Sequence, residues 1–248
     1  MSNRHTHHTG GQHSDGQHSD GQHSAGQHSA DQHPAGEPGV LIRWPRRYDL
    51  LAAVVFAGRG RRVRAQIADA MQLQRGQRVL DVGCGTGTLA LALAQRVGIQ
   101  GRVQGVDASE EMISAAQGKA ARKKVAAHFA VATAQALPFD DGYFDAVVTS
   151  LMIHHLPDSD RPAAAHELLR VLRPGGRLLI AEFQAPAGPT SRRVTAHHFG
   201  AAMATHDIND VLDLVAAAGA VDVSRQATSV GWLGLVAGRK PALAGPLR

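Results

Sequence analysis

The chain has 248 residues, a net charge of +5 and one cysteine, Cys84. One cysteine excludes an internal disulfide framework and a multi-cysteine zinc site, and no apolar run reaches the roughly 18 residues of a transmembrane helix. Aromatic residues make up only 4%, little stacking material for single-stranded bases, so no nucleic acid partner is expected.

The N-terminus lacks the apolar stretch of a signal peptide, and a cytoplasmic protein is the expectation. From Gly11 the chain repeats a five-residue unit, GQHSD, GQHSD, GQHSA, GQHSA, DQHPA, with almost nothing apolar to bury. Residues 1–39 are therefore expected to form a disordered His-rich tail and residues 40–248 the folded domain. The regular histidines, from His13 to His33 and preceded by His5, His7 and His8, leave two readings of the tail: weak, exchangeable divalent metal binding, or plain repeat expansion. No metal site is expected in the folded domain.

The first forty residues hold four acids against Arg4 alone, so residues 41–248 carry +8. Arg43, Arg46, Arg47, Arg59, Arg61, Arg62 and Arg64 crowd ahead of the first strand. That cluster reads as a solvated helical face or as a docking surface, with transient contact to an anionic membrane as one form of the latter.

Helical apolar spacing over Tyr48 to Met71, broken around Gly58 and Gly60, predicts one or two leading helices. Strand Arg78–Val82, helix Thr88–Val97, strand Arg102–Val106, helix Glu110–Arg122, and strands Val125–Val131 and Phe144–Ser150 follow. Helix Arg161–Leu172 and strand Gly176–Phe183 complete the alternation. A long connection rich in Pro, Gly and His then leads to helix Ile208–Ala218, ended by Gly219. Two last strands, Val221–Arg225 and Val230–Val236, are close enough to form an antiparallel hairpin. Alternation of this kind, with continuously apolar strands, predicts an α/β fold, doubly wound and Rossmann-like, with helices on both faces.

Where the first strand meets its helix, Gly83, Gly85 and Gly87 alternate in VLDVGCGTG. Glycine there lets backbone approach a ligand without a clash, at a helix N-terminus. A dinucleotide fingerprint needs a further glycine at position 88, which is Thr88. Asp107 ends the second strand about twenty residues on, where a carboxylate accepts both ribose hydroxyls of an adenosine.

The segments VLDVGCGTG, GVDASEEM, ALPFDDGYFDAVVTSLMIHHLPD and ELLRVLRPGGRLLIAEF together resemble the class I S-adenosylmethionine-dependent methyltransferases, in particular the ubiquinone and menaquinone C-methyltransferase branch. The resemblance spans about Tyr48 to Gly238 and implies a seven-stranded sheet with its last strand antiparallel. It implies that Asp81, Gly83, Gly85 and Gly87 surround the methionyl part of the cofactor, that Asp107 holds the ribose, and that Ala108 and Met112 flank the adenine. Many relatives have Asp-Ala where this chain has Thr133-Ala134, so the adenine amino group would meet a neutral acceptor. Ser150 and Leu151 fall beside the methionyl amine and the methyl donor, and Tyr48 matches an aromatic that closes over the cofactor, with a core role equally open.

Methyl transfer from a sulfonium is an in-line displacement that needs alignment, water exclusion and, for a phenol or ring carbon, a base. His154 and His155 are candidates for that base or for a substrate contact, against the alternative of loop histidines that pack on the next helix. His197, His198 and His206 lie in the long connection, where relatives build a substrate lid. Cys84 reads as a small packing residue. The expected function is transfer of the S-adenosylmethionine methyl group to a small molecule such as a quinone, phenol or other lipophilic ring. The competing readings are a metal-binding protein acting through its tail beside a degenerate domain, and a nicotinamide-dependent oxidoreductase.

Overall fold

The computed structural model describes Pro45, Asp49 and residues 58–184 and 207–243. The chain divides into two units, Met1–Ala35 and Gly36–Arg248, and every described residue lies in the second. The His-rich tail, Tyr48, Arg43, Arg46, Arg47, His197, His198 and His206 lie outside the described residues.

Helix α1 (Gly60–Ala70) turns Val63 and Ile67 inward and leaves Arg61 and Arg62 exposed, so this part of the arginine cluster is a solvated face. Strand β1 (Arg78–Val82) passes through a glycine turn into α2 (Thr88–Val97), a run of good helix formers. Next come β2 (Arg102–Asp107) and α3 (Glu110–Lys123). The Ser109 hydroxyl caps α3 by accepting from the Met112 amide at 3.2 Å, with Glu110 and Glu111 in the first turn and Arg122 and Lys123 in the last. Strands β3 (His128–Val131) and β4 (Phe144–Ser150) precede a 3-10 turn, Ile153–His155. Helix α4 (Arg161–Arg170), β5 (Leu172–Phe183), α5 (Ile208–Ala217), β6 (Val221–Ala227) and β7 (Leu233–Arg239) complete the described elements.

The seven strands lie in the order β3-β2-β1-β4-β5-β7-β6. β7 is antiparallel to both β5 and β6, while the other neighbours are parallel. Two apolar cores cover the two faces. One joins Val63 and Ile67 of α1, Leu93 of α2 and Ile113 of α3 to Val79 and Val148. The other joins Leu168 of α4 and Ile208, Val211 and Val215 of α5 to Leu80 and Val147. Strand order reverses between β1 and β4, and the carboxyl ends at such a reversal are where open α/β sheets bind ligands.

Several expected boundaries are corrected, β5 beginning at Leu172 rather than Gly176 among them. β3 begins at His128 rather than Val125, because Lys124 takes a left-handed conformation (φ 52°) and the Val125 amide is drawn back to the Ala120 carbonyl. α4 stops at Arg170, since Leu172 pairs with Phe144 as the first residue of β5. β7 runs over Leu233–Arg239 rather than Val230–Val236: Thr228 Oγ1 donates to the Val230 and Leu233 carbonyls, and the fold-back uses residues that continuous apolarity had assigned to the strand.

Candidate active site

All three glycines of the β1–α2 turn have positive φ: 69° at Gly83, 51° at Gly85 and 74° at Gly87. A Cβ on Gly83 would strike the Met152 side chain, and one on Gly87 would lie 2.7 Å from the Phe129 ring. The turn does not offer its amides to a ligand as expected. Those of Gly83 and Cys84 donate to the Val106 carbonyl, that of Gly85 to Asp107 Oδ2 at 2.8 Å, and that of Gly87 to the Cys84 carbonyl. A phosphate-binding loop keeps such donors free; here the glycines permit a folded-in turn and close contact with Met152 and Phe129.

Asp81, 1% exposed, points from β1 toward the start of α2, where the Ala90 amide donates to its carboxylate. Its Oδ2 has no hydrogen-bond partner among the described residues. Burial, opposed by the Ala90 amide and reinforced by Asp107, pushes Asp81 up to about 8. Asp107 also lies above the usual carboxylate range, chiefly through burial. Its two oxygens accept from Gly85 and Ser109 amides, which leaves each a lone pair for a hydroxyl. Burial pushes the Cys84 thiol upward, with the two aspartates adding to the shift, so it is an inert packing group.

Around the end of β2, Met112 is buried beneath half-buried Ala108. The Ala132 amide donates to the Asp107 carbonyl, which brings the end of β3 alongside. Thr133 is exposed and bridges to Ala136, while Ala134 is buried.

At the end of β4, Ser150 is half-buried and Leu151 adopts φ 55°, a conformation that costs a side-chain-bearing residue on the order of 1–3 kcal/mol. Its amide bonds to the Ala181 carbonyl, holding the bend against β5. His154 Nδ1 then lies 2.8 Å from Oε1 of Glu182, a fully buried residue of β5. The His155 ring packs 4.0 Å from His154, and the Phe183 ring stands 4.7 Å from His154. Trp232 extends this wall, 5.6 Å from Phe183. Burial, with the neighbouring His154, pushes His155 down to about 4, so it is neutral across the physiological range. Among the described residues no group of three or more His, Cys, Asp and Glu is arranged to hold a metal ion.

Residue types and spacing alone missed Met152, which fills the space above Gly83, and Glu182, which orients His154. They also missed a polar knot behind the turn: Lys119 Nζ donates to Thr86 Oγ1 (2.6 Å), Thr88 Oγ1 (3.0 Å) and Asp49 Oδ1 (3.1 Å). An acid inside the otherwise apolar run LLIAEF was the one available signal for Glu182.

Residues 79–176 match the family model of a methyltransferase domain. The ubiquinone/menaquinone biosynthesis C-methyltransferase UbiE of Serratia proteamaculans is 35% identical over 156 residues, covering 62% of this chain and 61% of that protein. The match thus spans less than two thirds of that relative's length. Two solved structures share the fold. A SAM-dependent methyltransferase from Aquifex aeolicus has a TM-score of 0.60 at 22% identity, over 71% of this chain and 89% of that one. The [4+2]-cyclase SpnF has a TM-score of 0.61 at 22% identity, over 73% and 80%. The domain and its Rossmann-like sheet therefore agree with the resemblance carried by the four sequence segments.

Proposed function

We propose that this chain, whose residues 79–176 carry a methyltransferase domain, binds S-adenosylmethionine at the β1/β4 crevice and methylates a small lipophilic ring such as a phenol or quinone. The observation that carries the proposal is Asp81: a buried carboxylate whose Oδ2 has no partner among the described residues, beside a glycine turn whose Gly83, Cys84, Gly85 and Gly87 amides are already used. Such a site suits a cationic ligand rather than a phosphate. A fold shared with a cyclase does not specify the reaction, so the assignment rests on the site.

The cofactor, when bound, supplies a methyl group on a positively charged sulfur. Asp81 would hold the methionyl ammonium, Asp107 would accept from the ribose hydroxyls, and Ala108, Met112, Thr133 and Ala134 would border the adenine. Ser150 and the bent Leu151–Met152 segment would line the methyl side. His154, oriented by Glu182, accepts the proton of a phenol or ring carbon, whereas His155 contributes a neutral surface for the acceptor together with Phe183 and Trp232. The UbiE relatives support a quinone-like acceptor. A single buried cysteine supports a cytoplasmic setting; among the described residues no helix is long and apolar enough to cross a membrane.

The test is calorimetric titration of the full chain with S-adenosylmethionine, S-adenosylhomocysteine and NADH in the presence of a chelator. Micromolar binding of both adenosyl ligands, weakened at least tenfold by Asp107→Ala, is expected. Binding of NADH alone, or of none, overturns the proposal.

A further inference from the structure

At the opposite end of the sheet, beneath the C-terminus of α1, lies a cavity of about 240 Å3. Arg173, Arg177 and Arg239 line it, and Asp145 is its one carboxylate. Arg177 of β5 and Arg239 of β7 are direct cross-strand partners, an arrangement that like charges normally disfavour. Asp145 does not compensate them. Its Oδ1 accepts from Arg173 Nε at 2.7 Å and its Oδ2 from the Arg78 amide at 2.8 Å.

Among the described residues neither Arg177 nor Arg239 pairs with a carboxylate. Arg177 donates to the Ala70 carbonyl at 3.2 Å and to Gln72 Oε1 at 2.6 Å, and Arg239 to the Gly175 carbonyl at 3.1 Å. Each guanidinium has five donors, so most of the fork on Arg239 is left over. Both residues are half-buried, and burial together with Arg239 lowers the Arg177 pKa. Among the described residues the cavity therefore concentrates two charges without a carboxylate partner.

We infer that the cleft between Arg177 and Arg239 binds a phosphate-bearing dianion of phosphate or diphosphate size. A dianion matches the two uncompensated charges, and planar guanidinium forks match phosphate oxygens in paired contacts. The glutamines Gln72, Gln74 and Gln77 on the same wall supply further polar groups for oxygens beyond the first phosphate. Because the cleft is at the amino ends of β4 and β5, its ligand is distinct from the methyl acceptor. It acts as a tether or effector at the base of the sheet, independent of the methyl-transfer proposal.

Titration of the full chain with inorganic phosphate and pyrophosphate at pH 8 and low salt tests this, alongside sedimentation with phosphatidylglycerol vesicles. Saturable one-to-one pyrophosphate binding is expected, weakened at least tenfold by R239Q and less than twofold by R61Q, an exposed arginine of α1. Arg177 also anchors α1, so R239Q is the deciding variant, with its melting temperature as the fold control. Vesicle binding lost in R239Q and displaced by pyrophosphate assigns a lipid headgroup as the source; pyrophosphate binding without vesicle binding assigns a free phosphate compound. Equal weakening by R239Q and R61Q, or no binding of either probe, overturns the inference.

Discussion

His154 Nδ1 is 2.8 Å from Glu182 Oε1, and that residue of β5 is wholly screened from solvent while His154 keeps 10% of its side chain exposed. The contact ties the His154 ring to β5 through Nδ1, and the base role proposed for His154 depends on that anchoring. Glu182→Gln is expected to lower kcat 10- to 100-fold with KM changed less than twofold, and Glu182→Asp to recover part of the loss. His154→Gln should lower kcat at least as far. Equal turnover in wild type and Glu182→Gln on an accepted phenol would remove His154 as the base.

Asp81 keeps its proton to about pH 8 in the free protein, since burial penalises the carboxylate. A cationic ligand stabilises the ionised form, so S-adenosylmethionine binding near pH 7 should release close to about one proton and tighten as pH rises toward 8. Calorimetry in two buffers of different ionisation enthalpy reads that release. Asp81→Asn should abolish it. For stability the sign is reversed: the raised pKa favours the native state fully below the unfolded value near 3.8, and that contribution is lost as pH rises through about 8. The melting temperature of the wild type relative to Asp81→Asn should fall over that window.

His155 has the opposite linkage. Its pKa is lowered to about 4 by burial and by His154, so the unfolded chain binds the proton first. Its contribution is complete above about pH 6.5 and is lost as pH falls toward 4, on the order of 3 kcal/mol at most. Denaturant titrations of wild type and His155→Gln should diverge over that acid range and run parallel above it.

Two glycines with similar backbone angles separate strain from crowding. Gly76 (φ 85°) faces open space, whereas a Cβ on Gly87 (φ 74°) meets the Phe129 ring at 2.7 Å and Ala116 Cβ at 2.9 Å. Gly76→Ala should cost about 1 kcal/mol from backbone strain alone. Gly87→Ala should cost about 2–4 kcal/mol, because the neighbours are rigid core groups. Urea unfolding midpoints measure both, and equal losses would mean that Phe129 gives way.

Periodicity was sufficient for most of the sheet because the central strands β1, β4 and β5 carry apolar runs near glycines, and helices carry a stripe such as Val63 and Ile67. It misplaced β7, where Val230 and Trp232 are apolar yet belong to a turn tied by the Thr228 hydroxyl. No local pattern separates the adjacent His154 and His155, which differ in the structure by the burial of His155 and the contact of His154 with Glu182. Asp81, Asp107 and the glycines were legible in the sequence because the turn needs positive φ and the crevice needs acids at strand ends.

By itself the sequence determined the doubly wound fold, the glycine turn and the acids at the ends of β1 and β2, since these follow from local spacing and residue type. Tertiary structure alone decided that the turn's amides are spent internally, that Glu182 holds His154, and that Arg177 confronts Arg239. The reason is physical: Arg177 and Arg239, Glu182 and His154, and the glycine turn and the end of β2 are distant in sequence, so their meeting depends on sheet order and register, which no local pattern encodes.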